Sequence, residues 1–176
     1  IVADRLARTP VGVARLVELA EALQAPVIDQ HGRMNFPSNH PLNMSEGGGQ
    51  LLANADVILG LELTDFWGTV NAFRDSLVRS SRSRIRQGTR LISITAVDLY
   101  TKSNFQDFQR YPEIDVAMAA DAEATLPALT EAVKKLVTAD RRTAFAERRT
   151  KLEQAHARAK EASRAEAAHA WDASPI

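Results

Sequence analysis

The sequence predicts a parallel, doubly wound α/β sheet with helices on both faces, followed by a C-terminal helical connector. Three observations predict it. Short apolar runs at Val27-Ile28, Val57–Leu61 and Leu91–Ile94 each end in polar or glycine residues, as buried parallel strands do at the edge of a sheet. Segments with apolar residues at helical spacing stand between and after them. This strand–helix alternation covers residues 1–138, whereas residues 139–176 lose any core-facing stripe.

Taken in order, Ile1–Ala3 reads as the stub of a first strand. Thr9-Pro10 starts a helix, with Thr9 as cap and Pro10 at the first helical position, where its missing N–H costs nothing. Val13, Leu16, Val17, Ala20 and Leu23 form its apolar face, and Pro26 stops it. A long loop of Gly, Pro, Asn, His and Ser follows the second strand, and loops of that length usually have a function or face another domain. Gln50–Asn54 reads as the end of a short helix and Asp56–Leu61 as the third strand. Phe66, Trp67, Val70, Phe73 and Leu77 suit a helix within Thr64–Val78. Arg79, Arg82, Arg84, Arg86 and Arg90 then fall in a solvated loop closed by Gln87-Gly88. Arg90–Thr95 and Ile114–Ala119 are the last strands, separated by an aromatic, polar stretch from Asp98 to Pro112. A helix opens near Asp121, with Leu126, Leu129, Val133, Leu136 and Val137 on one face. Pro127 fits its first turn if Thr125 is the cap. Residues 140–170 are alanine and charge with Phe145 and Leu152, a helix polar nearly all round, as interdomain bridges are. Both ends read as cut, so the chain is expected to be a piece of a longer protein.

Composition narrows the functional classes. The chain has 176 residues, a formal net charge of +0 and no cysteine. Neutrality argues against nucleic acid and an anionic membrane as partners. Absence of cysteine removes disulfides and thiolate chemistry and fits a reducing compartment, so the cytoplasm is expected. No apolar run approaches the ~20 residues that cross a bilayer.

In a doubly wound sheet, ligands sit beyond the carboxyl ends of the strands, here Gln30–Arg33, Glu62–Trp67 and Thr95–Asp98. Asp4–Gly12 lacks the glycine-rich turn of a dinucleotide site. Gly47, Gly48 and Gly49 could offer backbone N–H groups to a phosphate, or simply form a flexible loop. Glu62 ends a strand and is the only carboxylate in a plausible site position; its alternative role is to cap the next turn. His31 and His40 share the long loop without metal-ligand spacing, and His156 and His169 fall in the connector as solvated residues. Trp67 and Phe66 read as core or interdomain contacts. These residues assemble no self-contained active site, so the piece is expected to be inactive alone.

Gly32–Leu42 (GRMNFPSNHPL), Ala55–Leu61 (ADVILGL) and Leu91–Ile94 (LISI) resemble the central domain of thiamine diphosphate-dependent enzymes of the acetolactate synthase, benzoylformate decarboxylase and oxalyl-CoA decarboxylase type. The resemblance covers about Ile1 to Val137, and Phe36-Pro37…His40-Pro41-Leu42 is its most specific part. It implies a six-stranded Rossmann-like domain at 1–138, with 139–176 leading through Trp171–Ile176 to a diphosphate-binding domain. It also implies a homo-oligomeric parent enzyme with flanking pyrimidine- and diphosphate-binding domains, which hold thiamine diphosphate and Mg²⁺; no cofactor is expected in this piece. Some relatives bind FAD or ADP in this domain, which would make Gly32, Arg33, Gly47, Gly48 and Glu62 the contacts to a nucleotide or a neighbouring domain. Asn43–Gly47, Leu61-Glu62-Leu63 and Thr95 depart from the FAD pattern and count against it.

Overall fold

Five parallel strands form the centre of this computed structural model, which describes residues 1–75, 77–78, 80–96 and 110–173. The elements are β1 (Val2–Ala3), α1 (Pro10–Leu23), β2 (Ile28–Asp29), α2 (Gly48–Asn54), β3 (Val57–Leu61), α3 (Phe66–Val70), β4 (Asn71–Asp75), β5 (Ser80–Ser83), β6 (Arg90–Thr95), β7 (Val116–Ala119), α4 (Ala122–Leu136) and α5 (Ala139–Ala173). The sheet order is β2-β1-β3-β6-β7, every pair parallel. The chain thus winds outward in both directions from β1 and β3, and their carboxyl ends flank the switch point of the sheet.

Side-chain alternation divides the core into two layers. Ala3, Leu61 and Ile94 pack with Leu16 and Leu19 of α1 and Leu126 of α4. Val2, Ile58 and Leu91 pack with Leu52 of α2 and with Phe66 and Val70 of α3. Helices on both faces are therefore borne out. Gly60 lies where α3 approaches β3 most closely: a Cβ there would come within 2.4 Å of the Phe66 ring.

Several expectations are corrected. Among the described residues the main sheet has five strands rather than six, because the segment after α3 turns into a separate antiparallel pair, β4–β5. The helix expected within Thr64–Val78 stops at Val70, where the Asn71 side-chain amide donates to the Trp67 carbonyl at 3.2 Å and the backbone becomes extended. Phe73 is 49% and Leu77 92% exposed, so the helical spacing there does not mark a core face. Part of the arginine-rich stretch is the solvent-facing strand β5 rather than loop; Arg79 lies outside the described residues, as do Asp98 and residues 174–176.

In α4 the cap is Asp121, whose side chain accepts from the Ala124 N–H at 3.0 Å, not Thr125. Pro127 therefore sits inside the helix. Its missing N–H leaves the Glu123 carbonyl without the usual helical donor, and the Arg15 guanidinium donates to it at 3.5 Å.

Helix α5 runs for 35 residues, mostly solvent-exposed, as its composition predicts. It docks at a few points. Leu152 is buried in the α1/α4 layer, and Arg148 donates to the last carbonyls of α1, Leu23 at 2.6 Å and Gln24 at 2.8 Å. A cation at that end also complements the helix dipole. His156, expected to be solvated, is instead half-buried, its Nδ1 2.9 Å from the Asn43 carbonyl oxygen.

Two glycine substitutions test this packing in opposite directions. Gly60→Ala forces a methyl against a stiff aromatic ring and is expected to cost about 1–3 kcal/mol in urea denaturation. Gly49→Ala, inside α2 with nothing within 4 Å of the new Cβ, is expected to be stabilising by about 0.4–1 kcal/mol.

Candidate functional site

The crevice between the ends of β1 and β3 is the natural ligand position in this topology. Asp4, directly after β1, occupies it with its side chain 0% exposed. Its carboxylate accepts from the Thr64 hydroxyl at 2.6 Å and the Thr64 N–H at 3.2 Å, across the mouth of the crevice. From the β2 side Arg33 Nε donates at 2.5 Å, and His31 Nδ1 lies 3.3 Å away. Burial alone would push the Asp4 carboxyl upward. The bonds from Thr64, Arg33 and His31 outweigh it and hold the group below its usual 3.8.

Asn35 fastens the same region from beneath. Its side-chain oxygen accepts from the N–H groups of Leu6 at 3.0 Å and Ala7 at 2.9 Å. Its amide donates to the Asp4 carbonyl and, at 2.7 Å, to Asp29 Oδ1, while its own N–H donates to Asp29 Oδ2 at 2.9 Å. One buried amide thus locks the loop after β1 to the end of β2.

Glu62 turns away from the crevice. Its backbone adopts φ +52°, a left-handed conformation costly for a non-glycine residue. Its carboxylate accepts from the Thr95 hydroxyl at 3.0 Å, the Ala96 N–H at 2.9 Å and the Ala122 N–H at 2.9 Å. Among the described residues its carboxylate bonds to no residue of the next turn but ties the ends of β3 and β6 to the first residue of α4.

The N-terminus of α1, where a doubly wound fold offers N–H groups to phosphate, is also taken. Glu123 accepts from the Arg8 N–H at 2.8 Å and the Thr9 hydroxyl at 2.7 Å. Gly12 makes room for it, since a Cβ there would lie 2.6 Å from the carboxyl carbon. The Thr9 hydroxyl, then the Arg8 N–H and charge, hold the Glu123 carboxyl below its usual 4.5 despite burial. Arg8 pairs in addition with Asp121.

The residues singled out from sequence do not converge. Arg33 joins Asp4, and Glu62 is engaged on the far side with β6 and α4. Gly32, at φ +59°, lies beside a cavity between the long loop and α5. Gly47 caps the seven-residue helix α2 at φ +78°. Gly48 is pressed against Ile28, whose Cδ1 would lie 2.8 Å from a Cβ, so its small size serves packing. Trp67 is half-buried beneath Arg110, 4.9 Å from the ring centroid. Among the described residues no group of three or more His, Asp or Glu side chains is placed to hold a metal ion. Asp4, Asn35 and Glu123 are missed from sequence; only Asp4, at the end of an apolar run, carries a signal that could have marked it.

No protein-family model matches the chain, and no curated protein matches it. Among solved structures it is similar to the thiamine diphosphate-dependent 4-hydroxybenzoylformate decarboxylase of Rhodococcus jostii RHA1. That match has 22% identity and a TM-score of 0.46, and covers 76% of this chain and 24% of that enzyme's.

The lowered carboxyl groups fix a pH dependence. A group whose folded-state pKa is depressed stabilises fully above its unfolded value and loses that stabilisation as pH falls through the folded one. Urea midpoints are therefore expected to fall from about pH 5 downward. Glu123→Gln should cost about 1.5–3 kcal/mol at pH 7, and the gap between variant and parent should narrow at low pH. A gap independent of pH would exclude Glu123 from the effect.

Proposed function

We propose that the chain is the non-catalytic central domain of a thiamine diphosphate-dependent decarboxylase or carboligase acting on a 2-oxo acid or related substrate. Its role is to hold the flanking pyrimidine- and diphosphate-binding domains in register within a homo-oligomeric, cytoplasmic parent. The observation that carries this reading is the Phe36-Pro37…His40-Pro41-Leu42 cluster, which is the most specific sequence signature in the chain. Its geometry is that of a built unit. Phe36 is buried and meets His40 edge-on at 4.9 Å, and His40 Nδ1 accepts from the Leu42 N–H at 3.1 Å. The Val27 N–H donates to the Leu42 carbonyl at 2.8 Å, fastening the cluster to the strand.

The groups at the strand ends support a scaffolding role, because Asp4, Glu62 and Glu123 are each engaged by backbone N–H groups and side chains of this same chain. On this reading thiamine diphosphate and Mg²⁺ are held by the flanking domains. The exposed loop tip, with His31 and Met34 at φ +61° and +62°, is the part available to a neighbouring domain near the substrate approach. Met34 is 81% exposed.

The rival reading is an adenine-nucleotide module taking FAD or ADP at the strand ends. Of its expected contacts, Arg33 is engaged with Asp4 and Glu62 with Thr95, Ala96 and Ala122, which leaves the Gly47–Gly49 backbone as its phosphate cradle. Two measurements on this chain separate the readings. Incubation with thiamine diphosphate, Mg²⁺ and a panel of 2-oxo acids is expected to give no turnover; sustained turnover would overturn the scaffold. FAD or ADP is expected to leave the melting temperature unchanged, whereas a ligand at 100 times its Kd would add about 2.7 kcal/mol of stability.

A further inference from the structure

A cavity of about 950 Å³ lies between the long loop and α5, lined neither by Asp4 nor by Arg8–Gly12. Its size is that of a small-molecule site. One wall is helix: His156, Lys160 and Arg164 all line it, at i, i+4 and i+8, which places three basic side chains on one face of α5. Neither Lys160 nor Arg164 makes an ion pair or hydrogen bond with a described residue. The other wall is loop, where Phe36, Pro37 and Met44 supply an apolar surface beside the hydroxyl groups of Ser38 and Ser45.

His156 adds an independent sign. Its Nδ1 lies 2.9 Å from the Asn43 carbonyl oxygen and must carry the proton in that contact. Nε2 is then an acceptor, and it is buried with no partner among the described residues. A buried, unsatisfied acceptor is costly unless a ligand or water supplies a donor.

Two carboxylates, Asp29 and Glu46, also line the cavity, and neither is ion-paired with Lys160 or Arg164. Both Asp29 oxygens already accept from Asn35, Oδ1 from the side-chain amide and Oδ2 from the N–H. Glu46 is exposed and pairs with neither cation.

We propose that this cavity binds a small phosphate monoester with an apolar body. The anionic oxygens meet Lys160 and Arg164, whose Cα atoms are separated by ~6 Å along the helix. A proton shared between His156 Nε2 and a phosphate oxygen makes the third polar contact, and the apolar body lies on Phe36 and Met44. The proposal does not depend on the thiamine-enzyme reading, since none of these residues belongs to the crevice.

The test is titration of the whole chain with phenyl phosphate, followed by two-dimensional amide NMR. Saturable shifts are expected at residues 156–164 and 34–46, with none at Arg8–Gly12. The Lys160→Gln/Arg164→Gln variant should bind roughly tenfold or more weakly. Arg158→Gln, on the opposite side of α5, should bind like the parent. None of the three substituted side chains is buried, and unchanged circular dichroism confirms that the variants fold. No saturable shift up to ~10 mM, shifts centred on Arg8–Gly12, or binding undiminished in the double variant would each overturn the proposal.

Discussion

A buried carboxylate survives at the end of a parallel sheet only when hydrogen-bond donors surround it. This protein buries three there, Asp4, Glu62 and Glu123, and builds its upper surface around satisfying them. Thr64 closes on Asp4 across the switch point, Ala96 and Ala122 close on Glu62, and Arg8 and Thr9 close on Glu123. The donors come from loops distant in sequence, so each carboxylate is a cross-link between segments that the sheet alone does not join. The same bonds occupy the oxygen lone pairs that these groups would offer to any ligand. A surface that other doubly wound domains keep open is here converted into an internal joint.

That conversion also explains the local strain. His31, Met34 and Glu62 adopt positive φ without being glycine. Such conformations persist where surrounding contacts over-determine them. Glu62 is held by three bonds to its carboxylate, and the His31–Met34 turn is pinned between the contact of His31 with Asp4 and the buried side chain of Asn35. The strain at Glu62 positions a cap rather than a reacting group.

Much of the fold is legible in the residues because local signals agree with the tertiary outcome. Val57–Leu61 and Arg90–Thr95 are strands over the lengths their apolar runs suggest. Thr9 caps α1 by accepting from the Gly12 N–H at 3.1 Å, with Pro10 at the first position. The β4–β5 hairpin is not legible, since Phe66, Trp67, Val70, Phe73 and Leu77 have helical spacing while only the first part of the segment packs inward. Asp121 rather than Thr125 caps α4, and its first turn is tied to distant segments by the Ala122 N–H bond to Glu62 and the Arg8 N–H bond to Glu123, which no local pattern reveals. The candidate site was less legible still. Its place at a strand end marks Glu62, but its engagement with β6 and α4 depends on a backbone conformation that sequence does not announce. The bonds by which Asn35 and Glu123 reach the loop before α1 span 28 or more residues.

The central claim is that the strand-end carboxylates and Asn35 are closed on backbone N–H groups in solution. Native-state amide hydrogen exchange measures this directly. The account predicts that Leu6, Ala7, Arg8, Thr64, Ala96 and Ala122 exchange slowly, with protection comparable to the strands they follow or precede. Rapid exchange of these six amides, while the amides of β3 and β6 stay protected, would contradict it and leave the carboxyl end of the sheet open to a ligand.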